Sequence, residues 1–196
     1  MTKRNFLLDI GNVLLRFSTR DDIGNLFPSD PALCDVLYQL IFKSHEWIEL
    51  DRGTLTHAEA FARFTARRPD LSAQIQRVRS CLPLMLAPIE PTSALLPRIK
   101  RAGHGLYFLS NYHAELAKDA LARNPFFALF DGGVFSCDVH LIKPDPAIYQ
   151  HLLAHYHLDP SSCLFFDDMP ENVDAAIALG IPAVQFTDAQ DIIRYI

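Results

Sequence analysis

The sequence predicts an α/β protein: a parallel sheet of short apolar strands that alternate with helices, interrupted after its first strand by an all-helical insertion. Three observations carry this reading. Phe6-Leu7-Leu8 is a short apolar run that ends on a carboxylate, Asp9, followed by Gly11. From about residue 92 onward, apolar runs of four or five residues alternate with helical stripes. Between the two, residues 20–82 carry helix signals and no convincing strand. Strands separated by helices imply right-handed crossovers and parallel pairing.

The elements follow in order. The opening MTKRNFLLDIGN starts basic and then apolar, as a secretory leader would, but Asp9 cuts the apolar stretch short and no small-residue cleavage site follows. Residues 5–9 are therefore read as the first strand. Residues 31–42, 44–51, 56–67 and 71–82 read as helices; Thr56 and Glu59 make a capping box, and Asp51 to Thr54 a turn before it. Pro83, Pro88 and Pro91 punctuate a linker. Residues 92–102 read as a helix with Thr92 or Ser93 near its N-cap and Gly103 at its end. Strands are expected at 105–109, 133–136, 163–166 and 183–186. The intervening helices are 112–123, stopped by Pro125, then 146–156, 172–179, closed by Gly180, and 188–195. The division expected from this pattern is a core of residues 1–17 and 89–196 with a helical unit over 18–88.

Composition narrows the function classes. The 196 residues suffice for one substantial core and a smaller appended unit. Hydrophobic residues make up 49%, yet no apolar run approaches the ~20 residues of a membrane span. A net charge of −5 argues against a nucleic-acid surface. Cys34, Cys81, Cys137 and Cys163 form no C-x-x-C pair, which reads as buried thiols in a reducing cytoplasm. His151, His155 and His157 cluster in sequence, but no glutamate follows His151, so the zinc-protease pattern fails and surface positions are expected.

The chemistry-bearing residues sit after strands. Asp9 ends the first strand, Ser110 and Asn111 follow the second, Asp167 and Asp168 follow another, and Lys143 lies in a loop before a proline-opened helix. In a parallel sheet the carboxyl ends of strands share one edge, where ligands bind. A carboxylate, a hydroxyl, an ammonium and a carboxylate pair would converge there. Any one of these alone reads as a cap or a loop residue; all of them in order suit phosphoryl transfer. Carboxylates plus substrate phosphate are typical ligands of Mg²⁺, a carboxylate can attack phosphorus, and Lys143 and Ser110 can hold the phosphoryl oxygens.

At these residues the chain resembles the haloacid dehalogenase-like hydrolase superfamily. DIGNVL is similar to its first motif, LSN at 109–111 to its second, Lys143 in IKPD to its third and FFDD at 165–168 to its fourth. The helical insertion resembles the cap of the helical-cap subgroup. DxGNV, KPDPAIY and FFDD…EN look similar to sugar-phosphate phosphatases of the α-D-glucose-1-phosphate phosphatase type and to the phosphatase domain of bifunctional epoxide hydrolases. The resemblance implies a Rossmann-like three-layer core, a Mg²⁺ cofactor and an aspartyl-phosphate intermediate. It implies Asp9 as nucleophile and metal ligand and the Gly11 backbone carbonyl as a second metal contact. Ser110 and Asn111 then bind phosphate, and Lys143 steadies the nucleophile and the phosphoryl group. Asp168 matches the direct metal ligand, with Asp167 as partner of Lys143 or alternative ligand.

Gly11 departs from the pattern. The family's phosphatases place a second aspartate there, which protonates the leaving alcohol and later activates water. Its loss removes an effect typically worth about 10²–10⁴-fold and argues against a phosphomutase. Departure of the leaving group then relies on water, the metal or its own acidity, and rates should depend steeply on leaving-group pKa unless a residue of the helical insertion donates the proton. The expected function is a cytoplasmic Mg²⁺-dependent phosphatase of a small phosphorylated metabolite such as a sugar phosphate, with no nucleic-acid or membrane partner and oligomeric state left open. The alternatives are a haloacid dehalogenase, which attacks carbon without a metal, and a non-catalytic phosphate-binding protein on the same fold. Phe17, Phe42, Trp47 and Arg52 are the candidates for leaving-group contacts, with Trp47 as readily a core residue.

Overall fold

The apolar run that opens the chain is the central strand of a five-stranded sheet. The computed structural model describes residues 3–196. In chain order it contains β1 (Asn5–Leu8), β2 (Leu15–Arg16), α1 (Thr19–Leu26), α2 (Pro31–Phe42), α3 (His45–Arg52), α4 (His57–Arg67) and α5 (Ser72–Cys81). Then come β3 (Ala87–Pro88), α6 (Glu90–Ser93), α7 (Leu96–Arg101), β4 (Gly105–Ser110), α8 (Ala114–Arg123), β5 (Gly132–Phe135) and α9 (Ser136–Val139). The chain closes with α10 (Pro146–His155), β6 (Cys163–Asp167), α11 (Pro170–Ala178), β7 (Ala183–Gln185) and α12 (Ala189–Ile193).

The large sheet has the order β5-β4-β1-β6-β7, and every pairing in it is parallel. Leu8 lies beside Phe108 on one side and Phe166 on the other, so the first residues after β1, β4 and β6 emerge at one edge. Successive side chains point to opposite faces of a strand. Phe6 and Leu8 therefore join Phe108 and Phe166 on one face, under α7, α8 and α12, while Leu7, Leu109 and Phe165 pack on the other, against α10 and α11. This is the three-layer α/β architecture expected of the sequence.

The helices α1 to α5 are inserted between β1 and β4, and no strand interrupts them. Their apolar faces, including Ile23, Leu37, Ile41, Phe61 and Phe64, continue the cluster that begins under the sheet. The chain leaves and re-enters the sheet layer through a two-stranded antiparallel ribbon in which Leu15 pairs with Pro88 and Arg16 with Ala87. The ribbon is too short to give the alternation by which strands are read. The capping box is present, with the Thr56 side chain accepting from the Glu59 N–H.

Several bounds differ from the sequence reading. The expected helix over 92–102 is two, α6 and α7, because Pro97 has no N–H to continue the ladder. Helix α1 went unpredicted; it is eight residues long, contains Gly24 and buries only Asp22 and Ile23, so it carries little apolar stripe. The first strand stops at Leu8, although the Asp9 N–H still donates to the Phe166 carbonyl at 2.9 Å. Ser136, expected in a strand, opens the single turn α9. Asp51, expected to end a helix and open the turn, lies in the last turn of α3, which runs one residue further to Arg52 and ends on Gly53 in the left-handed conformation. Cys137 and Cys163 are buried, but Cys34 and Cys81 keep partial exposure. His155 and His157 are exposed.

Candidate active site

Residues at the carboxyl ends of β1, β4 and β6 form a buried charged cluster with Lys143 at its centre. The Lys143 ammonium lies 2.9 Å from Asp9 Oδ1 and 2.5 Å from Asp167 Oδ2. Its side chain is 1% exposed and that of Asp167 is fully buried, so water compensates neither charge. Burial works to lower the Lys143 pKa, but Asp9 and Asp167 outweigh it and hold it above its ordinary value. A buried ammonium is stable only with such partners.

Each acidic group has a distinct anchorage. Asp9 Oδ1 also accepts the Ile10 N–H at 2.7 Å. Burial raises the Asp9 pKa to about 6; Lys143 and the Ser110 hydroxyl act against that rise and Asp167 adds to it. Asp167 uses its other oxygen to accept from the Met169 N–H and from Asn172 Nδ2, both at 2.9 Å. Asp168 receives only Asn12 Nδ2, at 3.0 Å, and burial holds its pKa above the usual carboxylate range. Asp9, Asp167 and Asp168 each present an oxygen within 4.8 Å of the others. This all-oxygen acidic set fits a hard divalent cation such as Mg²⁺.

The loop after β4 is tied to the loop of Lys143. Asn111 Oδ1 accepts the Lys143 N–H at 2.8 Å and Asn111 Nδ2 donates to the Lys143 carbonyl at 3.0 Å. The Asn111 side chain is thus engaged with backbone, while Ser110, 1% exposed, stands beside Asp9. Asp9, Gly11, Ser110, Asn111, Lys143 and Asp168 line one cavity of about 190 Å³. Asp167 lies behind it, in contact with Lys143 and not with the cavity.

A second, smaller cavity of about 60 Å³ shares Gly11, Phe17 and Asn111 with the first. Its remaining walls include Trp47, Asp51, Tyr112 and His113. Trp47 is 8% exposed, stacks with Phe17 at 6.2 Å and lies 4.5 Å from the Phe42 ring. It is both core residue and cavity wall. Phe42 supports it from behind, and Arg52 lies near Glu49, so neither is among the residues lining the cavity. The Tyr112 hydroxyl and both ring nitrogens of His113 are buried without a hydrogen-bond partner among the described residues. Burial pushes the His113 pKa down to about 3, which leaves the ring neutral.

Gly11 has no positive φ, and a Cβ there would meet nothing within 4 Å. Backbone conformation therefore does not demand glycine at this position. Asn12, by contrast, has φ 53°, and its side chain accepts from the Phe17 N–H at 2.9 Å while reaching Asp168. Asn12 and Asn172 both stand in the quoted motif strings, but their roles as braces for Asp168 and Asp167 were not legible there. Asp51 and His113 carried no motif signal; only folding brings them to the cavity.

A family model for haloacid dehalogenase-like hydrolases matches residues 4–180. The chain belongs to this family. Flavin mononucleotide hydrolase 1, a chloroplast protein of Arabidopsis thaliana, is 23% identical over 184 residues, covering 88% of this chain and 73% of that protein. The sesquiterpene phosphatase astK of Aspergillus oryzae is 26% identical over 153 residues, 76% of each chain. A haloacid dehalogenase-family enzyme of Bacteroides thetaiotaomicron, solved in complex with magnesium and inorganic phosphate, superposes with a TM-score of 0.73 at 20% identity, covering 95% of this chain and 96% of that one. At that identity the match speaks for the fold. This hydrolase has, among the described residues, no helix long and apolar enough to cross a membrane.

Proposed function

We propose that this hydrolase is a Mg²⁺-dependent phosphomonoesterase of a small phosphorylated metabolite, a sugar phosphate among the candidates, acting through an aspartyl-phosphate on Asp9. The observation that carries the reading is the cluster in which Lys143 bridges Asp9 and Asp167 beside Asp168, Ser110 and Asn111 at one sheet edge. The phosphatases among its sequence relatives support phosphorus over carbon as the atom attacked. The reducing cytoplasm is the compartment consistent with its four unpaired cysteines.

Asp9, Asp168 and the Gly11 carbonyl would hold the cation, with Asp167 as an alternative ligand. When bound, Mg²⁺ supplies charge that offsets repulsion between the Asp9 carboxylate and the phosphate dianion. The protein's own residues do the rest. Asp9 directs the oxygen not held by Lys143 and Ile10 at phosphorus. The Ser110 hydroxyl and the Lys143 ammonium receive the phosphoryl oxygens. Asn111 fixes the Lys143 backbone, and Asn172 and the Met169 N–H hold Asp167 so that Lys143 stays charged and in place. Residues 18–88 act as a cap over the core of 1–17 and 89–196, and contribute Trp47 and Asp51 to the side where the leaving group sits.

The test is a panel of phosphate monoesters assayed with Mg²⁺ and with excess EDTA. The proposal expects turnover only with the metal. Full activity in EDTA would exclude it and favour the dehalogenase chemistry. Gly11 favours one further reading, a phosphate-binding protein without turnover; binding of inorganic phosphate with no hydrolysis anywhere on the panel would support that instead.

A further inference from the structure

Gly11 leaves the leaving-group side of the site without the carboxyl that the chemistry needs, and the structure places another carboxyl there. Asp51, in the last turn of α3, lines the 60 Å³ cavity that Gly11 also lines. Its side chain has no hydrogen-bond or ion-pair partner among the described residues, unlike Asp9, Asp167 and Asp168. The space that a side chain at position 11 would occupy is open. We propose, on the phosphatase reading above, that Asp51 is the proton donor to the leaving oxygen and the base for the attacking water, in place of the missing side chain at position 11.

The anchorage of α3 supports this. The Ser136 hydroxyl donates to the Asp51 carbonyl and accepts the Tyr112 N–H at 2.8 Å, joining the end of α3 to the loop after β4. The His140 ring contacts the Arg52 carbonyl at 3.0 Å. Gly53, with φ 73°, lets the chain turn against the backbone of Cys137; a Cβ there would stand 2.4 Å from the Cys137 carbonyl oxygen. Only glycine fits so close an approach in that conformation. The helix end that carries Asp51 is thus fastened to the sheet layer, whereas the rest of α3 packs among the inserted helices.

The other groups around the cavity are unsuited to the role. The charged and titratable neighbours of Asp51 are Asp9 and Lys143 from the sheet edge, Tyr112 and His113 from the loop after β4, and Cys137 from α9. Lys143 is held by two carboxylates. Burial drives the Tyr112 hydroxyl well above its ordinary pKa and the Cys137 thiol up to about 12, so neither titrates near neutrality. His113 is neutral. Burial, with a further push from the Asp9 charge against the pull of Lys143, raises the Asp51 carboxyl to about 7. A donor with a pKa near the working pH is the efficient one.

The steps balance. Asp9 attacks phosphorus, the bond from phosphorus to the leaving oxygen breaks, and that oxygen takes its electron pair and the Asp51 proton to depart as an alcohol. Water then attacks phosphorus and gives a proton to the Asp51 carboxylate. The bond from phosphorus to Asp9 breaks, its electron pair returns to Asp9, and phosphate leaves with Asp51 protonated again.

The experiment is a leaving-group series with Mg²⁺, from p-nitrophenyl phosphate to simple alkyl phosphates, run on the wild type and on Asp51→Asn. With Asp51 donating, wild-type kcat/KM depends only shallowly on leaving-group pKa. Asp51→Asn should lose about 10²–10⁴-fold in kcat/KM on alkyl phosphates and less than about tenfold in kcat/KM on p-nitrophenyl phosphate, whose anion leaves without a proton, while kcat falls on both because water attack on the phosphorylated Asp9 is common to them. A retained stoichiometric burst of p-nitrophenol also shows that the variant folds. A steep dependence in the wild type, which requires no variant, overturns the assignment, as does an Asp51→Asn protein with alkyl activity intact. A wild-type protein that hydrolyses no ester overturns the phosphatase reading together with it.

Discussion

The two sides of the site are built by different means. On the sheet side Asp9, Asp167, Lys143 and Asn111 are tied to one another or to backbone by hydrogen bonds of 2.5 to 3.0 Å. On the side that faces the inserted helices the Asp51 carboxyl has no partner among the described residues, and the Tyr112 hydroxyl and the His113 ring nitrogens, from the loop after β4, are buried unpaired among them. A buried polar group without a partner costs of the order of 1–3 kcal/mol, a cost that a bound ligand can remove. On the proposed phosphatase reading, the sheet side would be preorganised for one invariant group, a phosphate and its cation. The helical side keeps unspent polar atoms among aromatic walls, where a substrate's variable part would complete the set.

The sharpest way to break this contrast is at Asp9. Asp9→Asn keeps size and should keep the fold but removes the proposed nucleophile, and should lower turnover by roughly 10³–10⁶-fold; steady-state assays with matched circular dichroism spectra check it. Lys143→Met comes next. It leaves Asp9 and Asp167 facing each other without a cation, and breaking a buried pair costs about 3–5 kcal/mol. Denaturant titration should show that loss in addition to the loss of activity. A fall in activity with unchanged stability would mean that the sheet side is less dependent on charge pairing than its geometry implies.

Asp51 offers a comparison by pH. Its carboxyl has a pKa raised from 3.8 to about 7 in the folded protein, so the folded state holds a proton that the unfolded chain releases. The contribution of Asp51 to stability therefore falls as pH rises from about 4 through 7, the reverse of a salt-bridged aspartate. Asp51→Asn should remove this dependence, raising Tm relative to wild type at pH 8 and changing it little near pH 4. A variant less stable than wild type at pH 8 would show that Asp51 has an ionised structural partner. The smallest effect is expected at Trp47. Trp47→Phe keeps the packing against Phe17 and Phe42 and should shift KM between substrates by a few-fold with kcat for p-nitrophenyl phosphate nearly unchanged.

The same contrast governs what could be read from the sequence. Most of the sheet side was legible because β1, β4 and β6 announce themselves as apolar runs with Asp9, Ser110, Asn111, Asp167 and Asp168 at or just beyond their ends, while Lys143 stood out in the loop before a proline-opened helix. Parallel pairing then puts them on one edge without further information. Asp51 was not legible, since a carboxylate near a glycine at the end of a helix reads as a turn; its place on the cavity that Gly11 lines depends on how α3 packs and on Gly53 meeting Cys137. His113 and Tyr112 were hidden for the same reason, their burial being set by the inserted helices. Helix α1 and the β2–β3 ribbon were missed because short elements carry too little periodicity. The motif strings themselves contained Asn12 and Asn172, whose bracing of Asp168 and Asp167 exists only in the folded chain.

The central claim is that phosphorus is transferred to Asp9, and the most direct measurement is mass spectrometry of the protein quenched in acid during turnover of p-nitrophenyl phosphate with Mg²⁺. The account predicts a single added phosphoryl group on the peptide that contains Asp9, absent from Asp9→Asn and absent when EDTA is present from the start. Substrate turnover in which pre-steady-state sampling finds no phosphoryl group on that peptide, or finds it on another residue, would contradict it.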